Sequence, residues 1–296
     1  MIHPSLQASI IIVVKNDRGI DATLAHLEEM NNEAVFETIV IDASEQARLS
    51  DIRAKYPTVR WYQFPPSNQR TTPAQRNRGL DLAQSPLIVF LDANCVPAKG
   101  WLAAIISSID AGEDIVCGPV LDLSKHNLVH YHPDITVGTY IDVCTTISVG
   151  IRRSVFNSVG QFDTSFSFGQ DVDFFWRATD KGYRIYHNPL MVIGHNWGAP
   201  NEQLTRAFQY GKARAHLFKK HWRSRRGQLR DETHVWIYPL FILSLPITFL
   251  IHLYPLLIVI PALKNRFRNP LGLILHHLAY GVGVIAGVLK RWPLKA

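Results

Sequence analysis

Cysteine is scarce in this chain of 296 residues, which has only Cys95, Cys117 and Cys144. They form no C-x-x-C pair and no even framework, which argues against a disulfide-stapled fold and for a reducing compartment. Cys95 reads either as a neighbour of a metal motif or as a small buried hydrophobe. No secretory signal is visible. The first apolar run, Ile10–Val14, is too short for a signal core and ends at Lys15. Internal repeats and low-complexity tracts are also missing. Positive charge is lacking through most of the chain: residues 1–200 carry 16 Lys/Arg against 21 Asp/Glu. The overall charge of +7 comes from a belt at 201–230, with nine Lys/Arg against Glu202 alone, and from six against two beyond it. A nucleic-acid partner is therefore not expected, since such proteins spread basic residues over the folded surface. A basic belt ahead of an apolar tail suits anionic lipid headgroups instead.

What is present is a globular α/β pattern. Hydrophobic residues make up 47% of the chain, too many for disorder. Apolar runs predict strands at Ser9–Val14, Glu37–Ile41, Val59–Phe64, Leu87–Leu91 and Ile115–Cys117. Helical periodicity predicts helices at Asp21–Met30, Gln46–Lys55, Pro73–Ala83 and Trp101–Ile109. Pro73 in the first turn is a helix-start signal. Strands that alternate with helices predict a mostly parallel sheet flanked on both faces. The second half is less regular, with strands at Thr146–Ile151, Arg184–Tyr186 and Leu190–Ile193. Its helices are Arg152–Val159, Asp171–Lys181 and a longer basic one, Gln203–Trp222.

The tail is different in kind. Trp236–Leu263 runs 28 residues without a charge but holds four prolines, and Leu271–Leu289 is a second uncharged stretch of 19. Each is long enough to cross a hydrocarbon core of about 30 Å. Two buried core helices, or a re-entrant hairpin broken by the prolines, are the alternatives. The expected organisation is a catalytic domain over 1–230 and a membrane region over 231–296. The belt faces the cytoplasm by the positive-inside rule.

The most informative segment is Leu87–Pro97, LIVFLDANCVP, an apolar strand that stops on a carboxylate. A strand buried on both faces delivers Asp92 to the carboxyl edge of the sheet, where open α/β folds bind ligands. With Asn94 two residues on, it can hold a hard divalent cation against a diphosphate, or it can simply cap the turn. Asp42 ends the second strand at the same edge, either as an acceptor for a nucleotide base or ribose or as a turn residue. Arg76, in Arg76-Asn77-Arg78-Gly79, suits a bidentate phosphate fork or a solvated helix face. Gln170-Asp171-Val172-Asp173 opens a helix after a flexible loop. Its acids can cap that helix or present a general base to a sugar hydroxyl. Phe162, Phe166 and Phe168 just before it suit core packing, or else a stacking or lipid-facing wall. His195 follows the last strand and is either structural or a neutral metal ligand.

Taken in order, the segments SIIIVVKN, TIVIDAS, AQRNRGLDLAQSPLIVFLDANCVP, SVGIRRSVFNSVGQFDTSF and GQDVDFFWRATDKGYRI resemble the family 2 glycosyltransferases of the GT-A fold over about residues 8–200. The resemblance implies a Rossmann-like mixed sheet and inverting transfer of a sugar from a nucleotide-diphosphate donor. In that scheme Asp171 is the catalytic base. Asp42, Arg76, Asp92 and Lys15 bind the nucleotide. Asp92, Asn94 and His195 hold Mg²⁺ or Mn²⁺, and Gln170 and Asp173 lie at the acceptor. Two departures stand out: Asn94 where the family usually has Asp, and Gln170 in place of the usual Glu. The Q-x-x-R-W signature of processive synthases is absent, which implies addition of a single sugar. The belt and tail favour a polyprenyl-linked or other lipid-linked acceptor, in cell-envelope or exopolysaccharide assembly at a bacterial inner membrane. A membrane-anchored nucleotide-sugar binding scaffold with weakened catalysis is the alternative. A nucleotidyltransferase is disfavoured because Lys15-Asn16-Asp17-Arg18-Gly19 is a poor phosphate loop.

Overall fold

The computed structural model describes residues 6–30, 34–45, 47–65, 71–124, 137–249, 251–252 and 270–290. The chain forms two compact units. One holds the described residues up to Leu123 and residues 137–196; the other runs from Trp197 onward and includes Ser124, whose Oγ accepts from the Trp197 N–H at 2.6 Å.

The first unit is built on a mixed, mostly parallel sheet. Its first strand, β1 (Ala8–Val14), is a β-branched run buried at six of seven positions. It pairs in parallel with β2 (Phe36–Asp42) on one side and β4 (Leu87–Asp92) on the other, and β3 (Arg60–Gln63) extends the β2 side. Between these strands lie α1 (Ile20–Glu29), α2 (Ser50–Lys55) and α3 (Thr72–Leu82), the crossovers that parallel pairing requires. Thr71 caps α3 through its side chain and Pro73 sits in its first turn. Gly79 lets α3 lie close on the sheet, because a Cβ there would run into the Ile11 side chain.

Beyond β4 the pattern changes. The chain continues through β5 (Cys95–Pro97), α4 (Trp101–Asp110), β6 (Ile115–Cys117), β7 (Val120–Asp122), β8 (Thr139–Ile141) and β9 (Ser148–Arg152). It then forms α5 (Arg153–Val159), α6 (Gln170–Asp180), β10 (Ile185–His187) and β11 (Ile193–His195). The large sheet has the order β3-β2-β1-β4-β9-β6-β10-β8, with β9 antiparallel to both neighbours. A second, three-stranded sheet has the order β5-β11-β7. Phe90, Phe156, Phe162 and Phe174 form an aromatic cluster, with Phe90 edge-on to Phe162 at 5.3 Å and Phe156 stacked on Phe174 at 4.9 Å. Phe162 and Phe166 are thus core residues.

The second unit contains α7 (Pro200–Lys220), α8 (Trp222–Arg225), a 3-10 turn, α9 (His234–Leu243) and α10 (Pro270–Leu289). Several expectations change here. The structural division falls at Asn196/Trp197 and not at residue 230, because the basic helix α7 packs extensively on α10 within this unit. Trp236–Leu263 is not one continuous helix. Ser244 takes up the carbonyls of Leu240 and Phe241 through its hydroxyl, and Leu245–Phe249 tightens into a 3-10 turn around Pro246, which has no N–H to continue the ladder. The rest of that stretch, 253–263, lies outside the described residues. The second stretch is a single helix, Pro270–Leu289, with mean hydropathy 1.7, and is the one described helix long and apolar enough to cross a membrane. In the first unit, the strand expected at Leu190–Ile193 starts only at Ile193, and the helix expected from Gln46 starts at Ser50.

Candidate active site

The parallel block sets the site. In register, Val14 on β1 lies opposite Asp42 on β2, and Val13 lies opposite Asp92 on β4. The two acids therefore end neighbouring strands at one carboxyl edge, separated by β1. Lys15, the first residue past β1, is exposed at the same edge.

The turn after Asp92 is held from behind by a residue with no motif to advertise it. Thr23, fully buried on α1, presents its hydroxyl to the Ala93 and Cys95 carbonyls at 2.9 and 2.8 Å and accepts from the Cys95 N–H at 3.1 Å. Gly19 lies close to Asn94, where an added Cβ would already press at 3.0 Å. Cys95 is a buried small side chain, and burial together with the Asp92 charge pushes its thiol pKa up. Thr23→Val should cost about 1–3 kcal/mol, because it leaves buried backbone groups unpaired with no change in side-chain volume. A denaturation midpoint unchanged from the parent would remove Thr23 from this role.

Pairing of β5 with β11 brings a distant segment to the same turn. His195 lies opposite Cys95 in register, and Asn94 Nδ2 donates to the Asn196 carbonyl at 3.1 Å. Asp92, Asn94 and His195 thus come from one small neighbourhood although 100 residues separate them. His195 is buried and Asp92 keeps a partly exposed carboxylate. As a donor set, one carboxylate, one amide and one imidazole suit a borderline cation such as Mn²⁺ better than a hard oxygen-only ion. Among the described residues no three His, Cys, Asp or Glu side chains are clustered for a metal, so a cation here would need the amide and oxygens of a ligand to complete its shell.

The Asp92 carboxylate already has a partner. Arg76, 4% exposed on α3, donates from Nη2 to Asp92 Oδ1 at 3.0 Å. Its Nη1 is buried and has no hydrogen-bond partner among the described residues. The solvated helix face considered for this arginine is therefore not what forms. Asp171 completes the group. It is the second residue of α6, entered through Gly169 at φ +74°, and its Oδ1 accepts from the Val172 N–H at 2.9 Å. The residue as a whole is partly exposed, yet burial of its carboxyl raises the pKa above the ordinary aspartate value. Arg76 opposes that rise and Asp92 adds to it. Asp171 is thus within electrostatic reach of the Arg76–Asp92 pair.

The other candidates take different positions. Asp42 is buried with both oxygens engaged: Oδ1 accepts from the Ser44 N–H at 2.7 Å and Oδ2 from the Trp61 indole at 3.2 Å. It forms the turn at the end of β2, the second of the two readings considered. Asn16, at φ +57°, joins the β1 end to that turn: its N–H donates to Ser44 Oγ at 2.7 Å and its Oδ1 accepts from the Glu45 N–H at 3.2 Å. Gln170 is buried at the head of α6, and its Oε1 has no partner among the described residues. Asp173 is fully buried and holds Arg177 at 2.9 Å, so it does not face an acceptor; it faces the protein interior. Arg177 in turn donates to the Val159 and Gln161 carbonyls. Asn77, read only as part of a basic motif, pairs like a backbone group with Phe162, at 2.9 Å through Nδ2 and 3.0 Å through Oδ1. These contacts secure the loop that precedes Asp171.

A profile of glycosyl transferase family 2 matches residues 9–177, more than half of the chain. A pre-mycofactocin glycosyltransferase of Mycobacterium tuberculosis is 24% identical over 164 residues; the match covers 50% of this chain and 35% of that protein, so the chain spans about a third of that relative. Glycosyltransferase AglE of Haloferax volcanii is 27% identical over 225 residues, covering 71% of this chain and 73% of the relative. Among solved structures, the mannosyltransferase PcManGT of Pyrobaculum calidifontis in complex with GDP-Man and Mn²⁺ superposes with a TM-score of 0.64 at 15% identity, over 94% of this chain and 87% of that one. GalNAc-T7 with UDP, GalNAc and Mn²⁺ gives 0.54 at 14% identity over 71% and 51%. The mixed sheet with its helices on both faces has the GT-A fold of these structures, and the chain belongs to glycosyl transferase family 2.

Proposed function

We propose that the chain is an inverting glycosyltransferase that moves one sugar from a nucleotide-diphosphate sugar to the hydroxyl of a lipid-linked acceptor. The observation that carries this reading is the buried Arg76 paired with Asp92 at the carboxyl edge of a parallel sheet, with Asp171 within electrostatic reach of the pair. A buried guanidinium whose Nη1 donates to nothing among the described residues is costly, and diphosphate oxygens satisfy it. Two solved relatives named above carry a nucleotide or nucleotide sugar together with Mn²⁺, which supports a donor of that class.

Asp171 accepts the proton of the acceptor hydroxyl. The oxygen so freed forms its bond to the anomeric carbon from the side opposite the nucleotide, and the bond to the diphosphate breaks. Desolvation suits the base to this work, since a raised pKa makes it a stronger proton acceptor. Arg76 stabilises the charge that grows on the departing diphosphate. Asp42 keeps a spare lone pair on each oxygen for a ribose or base, and Lys15 is free to reach the phosphates from β1. Asp92, Asn94 and His195 would hold Mg²⁺ or Mn²⁺, which supplies electrostatic stabilisation of the diphosphate when bound. The basic belt and the apolar helices of the second unit support a polyprenyl-linked acceptor and a membrane location, with the catalytic unit facing the cytoplasm in a bacterium and the product entering cell-envelope or exopolysaccharide assembly.

The test is a thermal-shift panel of nucleotide sugars with and without Mn²⁺ in detergent, followed by transfer to polyprenyl phosphate and to water-soluble sugars. One donor should raise the melting temperature by mass action, and only the lipid-linked acceptor should be glycosylated. No shift with any nucleotide sugar overturns the donor; binding without transfer leaves the scaffold as the reading. Asp92→Ala should weaken Mn²⁺-dependent donor binding on the order of 10- to 100-fold, the scale of losing a charged ligand. Equal affinity with and without EDTA in the parent would mean that Arg76 alone neutralises the diphosphate.

A further inference from the structure

We infer that the second unit docks on one face of an anionic bilayer as an interfacial wedge, and that α10 lies in the headgroup boundary without crossing the membrane. The inference rests on the membrane location proposed above and concerns how that location is achieved.

The decisive contact is between α7 and α10. Their backbones meet with no side chain between them. A Cβ at Gly211 would run into the Tyr280 carbonyl, and one at Gly283 into the Phe208 carbonyl; one at Gly287 would stand 2.6 Å from the Lys212 carbonyl. Residues 280–287 of α10 are therefore clamped to residues 208–215 of α7. A helix of 20 residues is about 30 Å long, so α10 must use its whole length to cross a hydrocarbon core of about the same thickness. A crossing α10 would carry the clamped stretch of α7 into the hydrocarbon, between the bilayer middle and one of its faces. That stretch holds Lys212 and Arg214, with Glu232 against Arg214 at 3.3 Å. Each charge at the bilayer centre costs about 2.5–3.5 kcal/mol even on insertion scales. α7 also carries charge towards both ends, with Glu202, Arg206, Lys219 and Lys220 besides. The clamp therefore opposes a crossing by α10.

The exposed residues of the unit include what an interfacial site needs. On α10, Leu271, Leu275, Val282 and Leu289 are all exposed and fall within about 40° of one another at 100° per residue. The glycine face is on the opposite side. On α9, Trp236, Leu240 and Leu243 make a second exposed apolar stripe of the same kind, and Trp222 is half exposed. Lys219, Lys220, Arg223, Arg226 and Arg230 are exposed along the adjoining segment, and no acid lies between them. Apolar stripes with an amphipathic aromatic and a basic flank match the chemistry of an acidic phospholipid surface.

The full-length protein is added to preformed sealed vesicles containing phosphatidylglycerol and then floated. Pro270→Cys and Lys290→Cys mark the two exposed ends of α10, each compared with the parent for its native thiols. A membrane-impermeant maleimide should label both ends without detergent. An end that labels only after detergent means α10 crosses the bilayer, and failure of both ends to label means the helix is embedded; either result overturns the inference while the membrane location stands. Flotation should be lost in vesicles of phosphatidylcholine alone. Equal flotation there removes the anionic partner, and no flotation in either lipid overturns both the inference and the membrane location. Leu275→Glu, at an exposed position, should abolish flotation and leave nucleotide-sugar binding intact; retained flotation removes the α10 stripe from the contact.

Discussion

Replacing Asp171 by asparagine should lower kcat by about 10²- to 10⁴-fold, the usual contribution of a positioned general base, with donor affinity unchanged. The amide is isosteric and can still accept from the Val172 N–H, so the helix start is kept. What it cannot do is take the acceptor proton. The same substitution should not lower the melting temperature. Burial already disfavours the charged form of Asp171, so its ionisation works against the fold at neutral pH. The sign follows from the raised pKa: whatever stability the protonated carboxyl contributes is lost as pH rises through that pKa, and asparagine abolishes this dependence. A variant that is both inactive and strongly destabilised would point to a structural acid. Near-normal turnover in a folded variant would remove Asp171 from the chemistry.

The neighbours of Asp171 make the pH profile a sharper test than the knockout. The acid limb of kcat/KM should lie above the ordinary aspartate range, because the free enzyme must lose the Asp171 proton before it can act. Arg76 pulls that pKa down and Asp92 pushes it up. Arg76→Gln should therefore move the acid limb to higher pH and Asp92→Asn to lower pH, whatever each does to the rate. Limbs that stay fixed in both variants would assign the titration to another group.

What the sequence made legible follows from how locally each feature is encoded. The parallel block could be read because β1, β2 and β4 are uninterrupted apolar runs that end on turn residues, and strands buried on both faces leave that pattern. Asp92 could be placed at the sheet edge for the same reason. The small β5-β11-β7 sheet could not be read: its strands are three residues each and their pairing depends on residues 73 to 100 positions apart. Without it, nothing in the sequence says that His195 lies opposite Cys95. Thr23 and Asn16 were missed because their work is to bond backbone groups, for which a threonine in a helix and an asparagine in a loop give no periodic signal. Asp42 shows the limit from the other side, since an acid at a strand end serves a turn and a ligand with the same residue type. The glycines of α7 and α10 look like helix weaknesses in sequence, and only their backbone contact explains them.

Asp173→Asn should separate a structural acid from a catalytic one two residues away. Asp173 is fully buried and bonded to Arg177 at 2.9 Å, and the arginine also holds the Val159 and Gln161 carbonyls. Removing one partner of such a pair leaves a guanidinium without its counter-charge, which costs about 3 kcal/mol. In a protein of this size that lowers the melting temperature by roughly 6–12 °C. The loop from Val159 to Phe162 should loosen with it. Phe162 is tied to Asn77, one residue along α3 from Arg76, so the loop in front of Asp171 loses one of its two anchors. Well below its melting temperature the variant should still turn over, because no proton passes through Asp173. The opposite pairing of results, full thermal stability with turnover lost, would return Asp173 to the acceptor site that the sequence suggested for it.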